Sequence, residues 1–390
     1  MKFKEILYWH IYQPLMQYCV HLFYYLPIKK NKIVFFHDFG NGYGDSPKYI
    51  AEEIMHRGLD CDMVWVTNNS HNNPNDYPKQ IRLALINRIK SVYELATAKV
   101  IITTGKYRYN IKKKPSQFFV YIPHGQIGAK YVEAQAGNTL GTEYPKNSEW
   151  HSGVSDLFLS SSKLFTEEVR NYYWYPNGEI AEIGLPRNDI FFHYTNEDVE
   201  RIKKKVGIPS DVKVLIYAPT FRDNGNDQAY SIDTERLLNT FEKKTGEKWI
   251  LLIRLHPCHI WFKKPAFKFN NRVKDVTDYP DMQDILLISD VLSSDYSCTM
   301  FGFNLMHRPV FLFVNDVEEY KKMRGLKDWF FKVPFPFCHD NDELNEAVCK
   351  FDLNEYQAQC KEFDILYGSL EKGTATEIFV DRLQKEMQIG

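Results

Sequence analysis

Short, unbroken apolar runs set the first limit on this chain. "KIVFF" (Lys32–Phe36), "DMVWVT" (Asp62–Thr67), "KVIITT" (Lys99–Thr104) and "FFVYIP" (Phe118–Pro123) recur through its first half. None alternates apolar with polar residues as a half-exposed strand does. An extended segment that is apolar on both faces must be covered on both, and parallel strands flanked by helices meet that need. "PKYIAEEIMHRG", stopped by Gly58, reads as a helix between strands, as do "QIRLALINRIKSVYELATA" and "KLFTEEVRNYYWY". "VSDLFLSS" and "AEIGLP" read as further strands, and Gly137–Trp150 as a long polar loop. The order is α/β in character.

A second α/β unit follows a break expected near Arg187–Glu200. Its strands are "VKVLIYAPT", "WILLIRLHP", "VKDVT", "ISDVLSS" and "RPVFLFVND", with a helix over Tyr296–Met306. "DELNEAVCKF" and "NEYQAQCKEFDILY" read as helical, and "TATEIFVDRLQKEMQI" as an amphipathic closing helix. The 390 residues suit two domains. The expected division is an aromatic segment over 1–30, domains over 31–187 and 188–365, and a closing helix within 366–390.

A net charge of -1 argues against broad nucleic-acid binding, and no nucleic-acid partner is expected. The 7 cysteines are scattered, odd in number and lack a CxxC pair, which fits a reducing compartment. No signal peptide opens the chain, and no apolar run reaches about 18 residues, so neither secretion nor membrane spanning is expected. The opening "ILYWHIYQPLMQYCVHLFYYLPIKK" is strongly aromatic. It has two readings, a helix packed on the first domain or a segment lying on a membrane surface. His10, His21 and the tyrosines suit an interface better than a hydrocarbon core.

Ligands of open α/β sheets bind outside the carboxyl ends of the strands, so the strand exits carry the site candidates. His124 follows "FFVYIP", beside Gly125 and six residues before Lys130. A neutral imidazole there accepts a proton near neutral pH, or else serves as a hydrogen-bonded turn histidine. His256 closes "WILLIRLHP", and Arg254 shares its strand face if that strand continues. A guanidinium fork with an imidazolium grips phosphate oxygens; the alternative is a polar strand cap, with neighbouring His259 inert. Ser297 and Thr299 lie where a helix starts, which favours either an anion or simple capping. Asp295 would repel phosphate and instead orients a loop or a histidine. Arg187 in "GLPRND" and Arg222 in "YAPTFRD" meet a diphosphate or form salt bridges between domains. "GNGYG" has neither dinucleotide nor P-loop spacing, and no metal motif occurs. No tightly bound cofactor is expected, and magnesium only in company with a nucleotide.

The ordered set "HGQIGAK", "GLPRND", "YAPTFRD", "RLHP", "SDVLSSDYSCTMFGFNLMHRPVFLF" and "DVEEYKKMRG" resembles the CDP-glycerol glycerophosphotransferase family of teichoic acid and capsule synthesis. "FFHDFGNGYGDSPKYI" is similar to that family's first strand, loop and helix. The resemblance implies a GT-B-like fold, two Rossmann-like domains facing a central cleft, with a closing helix that returns to the first. It implies transfer of a polyol phosphate from CDP-glycerol or another CDP-polyol to a hydroxyl of a lipid-linked saccharide or polyol-phosphate polymer. CMP is released, and the enzyme is peripheral on the cytoplasmic face of the cell membrane.

By position, His124 matches the histidine expected to act as base. His256 and Arg254 fall near the donor phosphates, and Asp295, Tyr296 and Ser297 fall on the DYS motif. Arg308, Asp316, Tyr320, Arg324 and Gly325 match the later part of the pattern. The expected catalytic pair is therefore His124 and His256; Arg254, Asp295, Ser297, Thr299, Arg222, Arg187 and Arg324 form the expected donor-binding set. Two positions depart from the pattern: Gln126 stands where the family has threonine, and Cys298 where it has a second serine. The length favours a priming or short-extension enzyme. A nucleotide-sugar glycosyltransferase and a non-catalytic polymer-binding protein are the alternatives.

Overall fold

The computed structural model describes residues 13–37, 42–68, 73–86, 88–105, 112–123, 126, 128–138, 143–222, 227–256, 265 and 267–389. Two compact units emerge. The first combines Met1–His124, Glu143–Asp189 and Leu370–Gly390; the second combines Gly125–Thr142 with Ile190–Ser369.

The first unit is built on seven parallel strands: β1 (Lys29–Phe36), β2 (Asp62–Thr67), β3 (Arg82–Leu85), β4 (Ala98–Thr103), β5 (Phe118–Tyr121), β6 (Leu157–Leu159) and β7 (Glu179–Ala181), in the order β3-β2-β1-β4-β5-β6-β7. Successive side chains of a strand point to opposite faces. Ile33, Phe35, Trp65, Val100, Ile102 and Val120 enter one buried cluster, while Val34, Phe36, Val64, Val66, Ile101 and Phe119 enter another. Both halves of each apolar run are therefore used, which is why the runs do not alternate. Ile50, Ala51 and Ile54 of helix Asp45–His56 cover the first cluster, and Leu95 of helix Ile89–Thr97 the second.

Three elements differ from the sequence expectation. The strand expected at "AEIGLP" lies earlier, over Glu179–Ala181. "QIRLALINRIKSVYELATA" is not one helix: Arg82–Leu85 peels off as edge strand β3, paired with β2, and the helix begins at Ile89. The Gly137–Trp150 stretch is not loop throughout, because a helix runs over Glu143–Val154. At the amino end, helix Gln13–Phe23 buries Met16, Cys19 and Val20 against Val92. Its other face keeps Leu15, Tyr18 and Leu22 exposed, Tyr18 at 65% and Leu22 at 53%.

The last helix, Ala375–Met387, inserts Phe379, Val380, Leu383 and Met387 into the first unit's core. The "GLPRND" segment anchors it. Asp189 accepts from the backbone N–H of Thr376 at 2.7 Å and of Ala375 at 3.2 Å, satisfying donors that a helix start leaves open. Glu371 accepts from Leu185 N at 3.1 Å and Asn188 Nδ2 at 2.7 Å. Gly184, at φ +86, leaves no room for a side chain, since a Cβ would lie 2.6 Å from Glu371 Oε2. Burial pushes the Glu371 carboxyl up to about 7, against the pull of those two hydrogen bonds. The folded chain then holds a proton that the unfolded chain has lost, so stability is full below the ordinary carboxyl range and falls as pH rises toward 7. Glu371→Gln is expected to flatten that decline; thermal unfolding of both proteins from pH 5 to 8 checks it. An unchanged slope would place the dependence elsewhere.

The second unit has six parallel strands, β8 (Lys213–Tyr217), β9 (Trp249–Ile253), β10 (Val273–Asp275), β11 (Val291–Ser294), β12 (Val310–Phe313) and β13 (Phe337–Cys338), in the order β10-β9-β8-β11-β12-β13. Leu215, Tyr217, Leu251, Ile253, Phe311 and Phe313 pack beneath Leu237, Leu238 and Phe241 of helix Thr234–Thr245. The strand order runs outward in both directions from β8 and β11. That reversal opens a crevice outside their carboxyl ends.

Candidate functional site at the second sheet's switch point

The chain leaves β8 through Ala218–Arg222 and β11 through Asp295–Ser297, so both segments border the crevice. A buried knot fixes them. Asp295 Oδ1 accepts from Thr220 N at 2.9 Å, Thr220 Oγ1 at 2.6 Å and Tyr296 N at 2.6 Å. Its Oδ2 lies 3.0 Å from Arg222 Nη2. Arg222 also reaches Asp316, Nε to Oδ2 at 2.6 Å and Nη2 to Oδ1 at 3.0 Å, and donates Nη1 to Thr220 O at 2.7 Å. The side chains of Arg222 and Asp295 are each 1% exposed. A buried charge is tolerated only when paired and hydrogen-bonded, and this arrangement supplies both.

Aromatic rings close the knot. Tyr296 and Tyr320 stack at 3.9 Å, and the Arg222 guanidinium carbon lies 5.1 and 4.8 Å from their centroids. Tyr296 donates its hydroxyl to Asp316 at 2.9 Å. Burial pulls the Arg222 pKa down, but Asp295 and Asp316 outweigh it and the net shift is upward, so this cation is permanent. Burial, with Asp316 and Asp295 adding to it, holds the Tyr296 phenol well above its ordinary range. Asp295 thus orients the turn into helix Thr299–Asn304, and Arg222 is a scaffold cation beneath it. In that turn, Ser297 Oγ meets Thr299 Oγ1 at 3.0 Å and accepts from Thr299 N at 3.3 Å. Cys298 supplies no side-chain cap.

Phe221, between Thr220 and Arg222, gathers a different set. The His256 ring lies 4.8 Å from it, the Lys130 ammonium 5.6 Å and the Arg324 guanidinium 5.9 Å. Three residues from distant parts of the sequence meet at one ring. Arg254 is turned toward the neighbouring loop, where Nη1 donates to Val276 O at 3.0 Å and Tyr279 O at 2.7 Å. Arg308 donates to the Leu287 and Ser289 carbonyls, both at 2.7 Å, and to the Tyr194 hydroxyl at 3.1 Å.

Arg187 belongs to the first unit, where Nη1 pairs with Asp45 Oδ2 at 2.9 Å. His124, Gly125, Asp223 and His259 lie outside the described residues. At the first sheet's own reversal, between β1 and β4, His37 Nδ1 lies 3.2 Å from Thr104 Oγ1. Sequence reasoning passed over His37, Phe221 and Thr220. For Phe221 a signal existed: its place between two polar residues in a strand exit. Among the described residues, no group of three or more His, Cys, Asp or Glu side chains is placed to hold a metal ion, and no helix is long and apolar enough to cross a membrane.

Comparisons with known proteins give the site its setting. The family described as CDP-Glycerol:Poly(glycerophosphate) glycerophosphotransferase matches residues 18–385. A teichoic acid poly(glycerol phosphate) polymerase of Staphylococcus epidermidis is 26% identical over 375 residues, 93% of this chain and 51% of that protein. This chain therefore spans about half the length of that relative. A teichoic acid glycerol-phosphate transferase of Staphylococcus aureus is 27% identical, with 89% of this chain and 91% of that one covered. The solved structure of the wall teichoic acid polymerase TagF superposes with a TM-score of 0.83 at 26% identity, covering 97% of this chain and 95% of that one. A match over nearly the whole chain, on a fold with the same two Rossmann-like units, places this protein in the CDP-glycerol:poly(glycerophosphate) glycerophosphotransferase family.

Proposed function

We propose that this protein transfers a polyol phosphate, glycerol phosphate foremost, from a CDP-activated donor to a hydroxyl of a lipid-linked glycan or polymer. The observation that supports it most is the switch point of the second sheet in a member of this family. There His256 stands against Phe221, and the Ser297–Thr299 turn is held by a buried ion network. In this reading the fold is GT-B-like, with the donor held on the second unit and the acceptor presented by the first.

The acceptor oxygen attacks the phosphorus that carries the polyol. A new P–O bond forms as the bond to the bridging oxygen of the diphosphate breaks, and CMP leaves. His124 takes the proton of the attacking hydroxyl. His256 and the Ser297 turn face charge that grows on the leaving phosphate, with Arg324 beside them, while Arg254 braces the neighbouring loop through the Val276 and Tyr279 carbonyls. Positioned donors of this kind supply much of the barrier reduction in phosphoryl chemistry. Arg187, in the first unit, belongs with the acceptor side or with the closing-helix anchor. The exposed Leu15, Tyr18 and Leu22 suit contact with the cytoplasmic membrane surface, where a lipid-linked acceptor resides.

The test is CMP release from CDP-glycerol, CDP-ribitol, UDP-glucose and GDP-mannose, with a lipid-linked acceptor in vesicles. Release with a CDP-polyol alone, together with a polyol-phosphate mass increment on the acceptor, is expected. Tyr18→Glu with Leu22→Glu should lower turnover on the vesicle-bound acceptor but not on a detergent-dispersed one. Sugar transfer without CDP-polyol turnover would replace this reading with a glycosyltransferase.

A further inference from the structure

Lys130 follows the "HG" histidine by six residues, yet it belongs to the second unit. Its segment pairs with the chain just past helix Val317–Arg324. Lys130 and Leu326 form an antiparallel bridge, Lys327 N donates to Ala129 O at 2.8 Å, and Tyr131 N to Gly325 O at 3.3 Å. Gly325 makes the contact possible. It sits at φ +68, and a Cβ there would lie 2.3 Å from the Tyr131 ring. This backbone pairing sets Lys130 and Arg324 about one ring, that of Phe221, which also meets the His256 imidazole.

We infer that Lys130 is a donor-binding residue: with Arg324 and His256, on the Phe221 platform, it forms the patch that takes the diphosphate of the nucleotide donor. The inference rests on the function proposed above and extends its binding set. The Lys130 ammonium and the Arg324 guanidinium lie 5.6 and 5.9 Å from the centre of that ring, and each can give charge-assisted hydrogen bonds to the oxygens of a diphosphate. The patch lies one residue from Thr220 and Arg222, so the buried knot holds its floor. A polyanionic acceptor offers the same phosphate chemistry. The position on the second unit's switch point favours the donor.

Calorimetric titration with CDP and with cytidine, beside steady-state kinetics in CDP-glycerol and in acceptor, tests this. Lys130→Met is expected to weaken CDP binding and raise the KM for CDP-glycerol about 10- to 100-fold. Cytidine binding and the acceptor KM should stay within about twofold, and Lys130→Arg should recover most of the loss. Phe221→Leu, which keeps every charge, should weaken CDP binding severalfold and guards against a folding defect in the lysine variant. Unchanged CDP affinity in Lys130→Met, in a chain whose wild type releases CMP, would overturn this inference alone. A rise confined to the acceptor KM would also overturn it, by moving the patch to the polymer. Wild-type protein that neither binds CDP nor releases CMP would overturn the proposed function with it.

Discussion

Arg222→Met is expected to cost about 3–5 kcal/mol of folding stability, measured as a lowered urea midpoint for the second unit. The substitution keeps much of the side-chain volume but strands Asp295 and Asp316, two buried carboxylates, without their shared cation. Asp295, 1% exposed, cannot regain water without opening the turn that carries Ser297. Adding Asp295→Asn and Asp316→Asn should return part of the loss, because neutral amides need no counter-ion. A cost below about 1 kcal/mol would mean that the network is surplus to the fold. The proposed donor site would suffer with the fold, since Phe221 lies between Thr220 and Arg222.

His124→Ala is expected to lower turnover about 100- to 10,000-fold while CDP affinity stays within about twofold. The reason is a division of labour. In the proposed mechanism CDP is gripped by groups of the second unit, whereas proton removal is needed only when the acceptor oxygen attacks. Single-turnover CMP release, set beside CDP titration, separates the two. Near-normal turnover would sink the base assignment. Equal losses in turnover and CDP affinity would make His124 a donor ligand instead.

Much of the scaffold was legible because burial on two faces leaves a plain mark. "WILLIRL" and "RPVFLFVND" contain β9 and β12 because a parallel strand in a sheet interior has no exposed side to make polar. Arg82–Leu85 escaped notice for the converse reason. It is four residues long, lies at the sheet edge and runs into an amphipathic helix, so its apolar residues join the helical period. Helix Glu143–Val154 carries Pro145, Asn147, Ser148 and Ser152, which leave no apolar stripe to read.

The candidate site was legible by strand exit but not by partner. Arg222 and Arg254 looked like phosphate ligands because arginines at strand exits often are. Only the fold shows that Asp316, 94 residues away, holds the first, and that the Val276 and Tyr279 carbonyls accept from the second. Lys130, Phe221 and Arg324 meet through a backbone pairing that no local pattern encodes.

The insertion of Phe379, Val380, Leu383 and Met387 into the first unit also bears on synthesis. All of the second unit precedes these residues in the sequence. As the chain emerges from the ribosome, helix Asp45–His56 can cover its share of that apolar face early, but the share taken by the closing helix stays open until the second unit has been made. Vectorial, domain-by-domain folding therefore cannot finish the earlier-made half, and that open share is the stretch of nascent chain that a chaperone has most reason to hold.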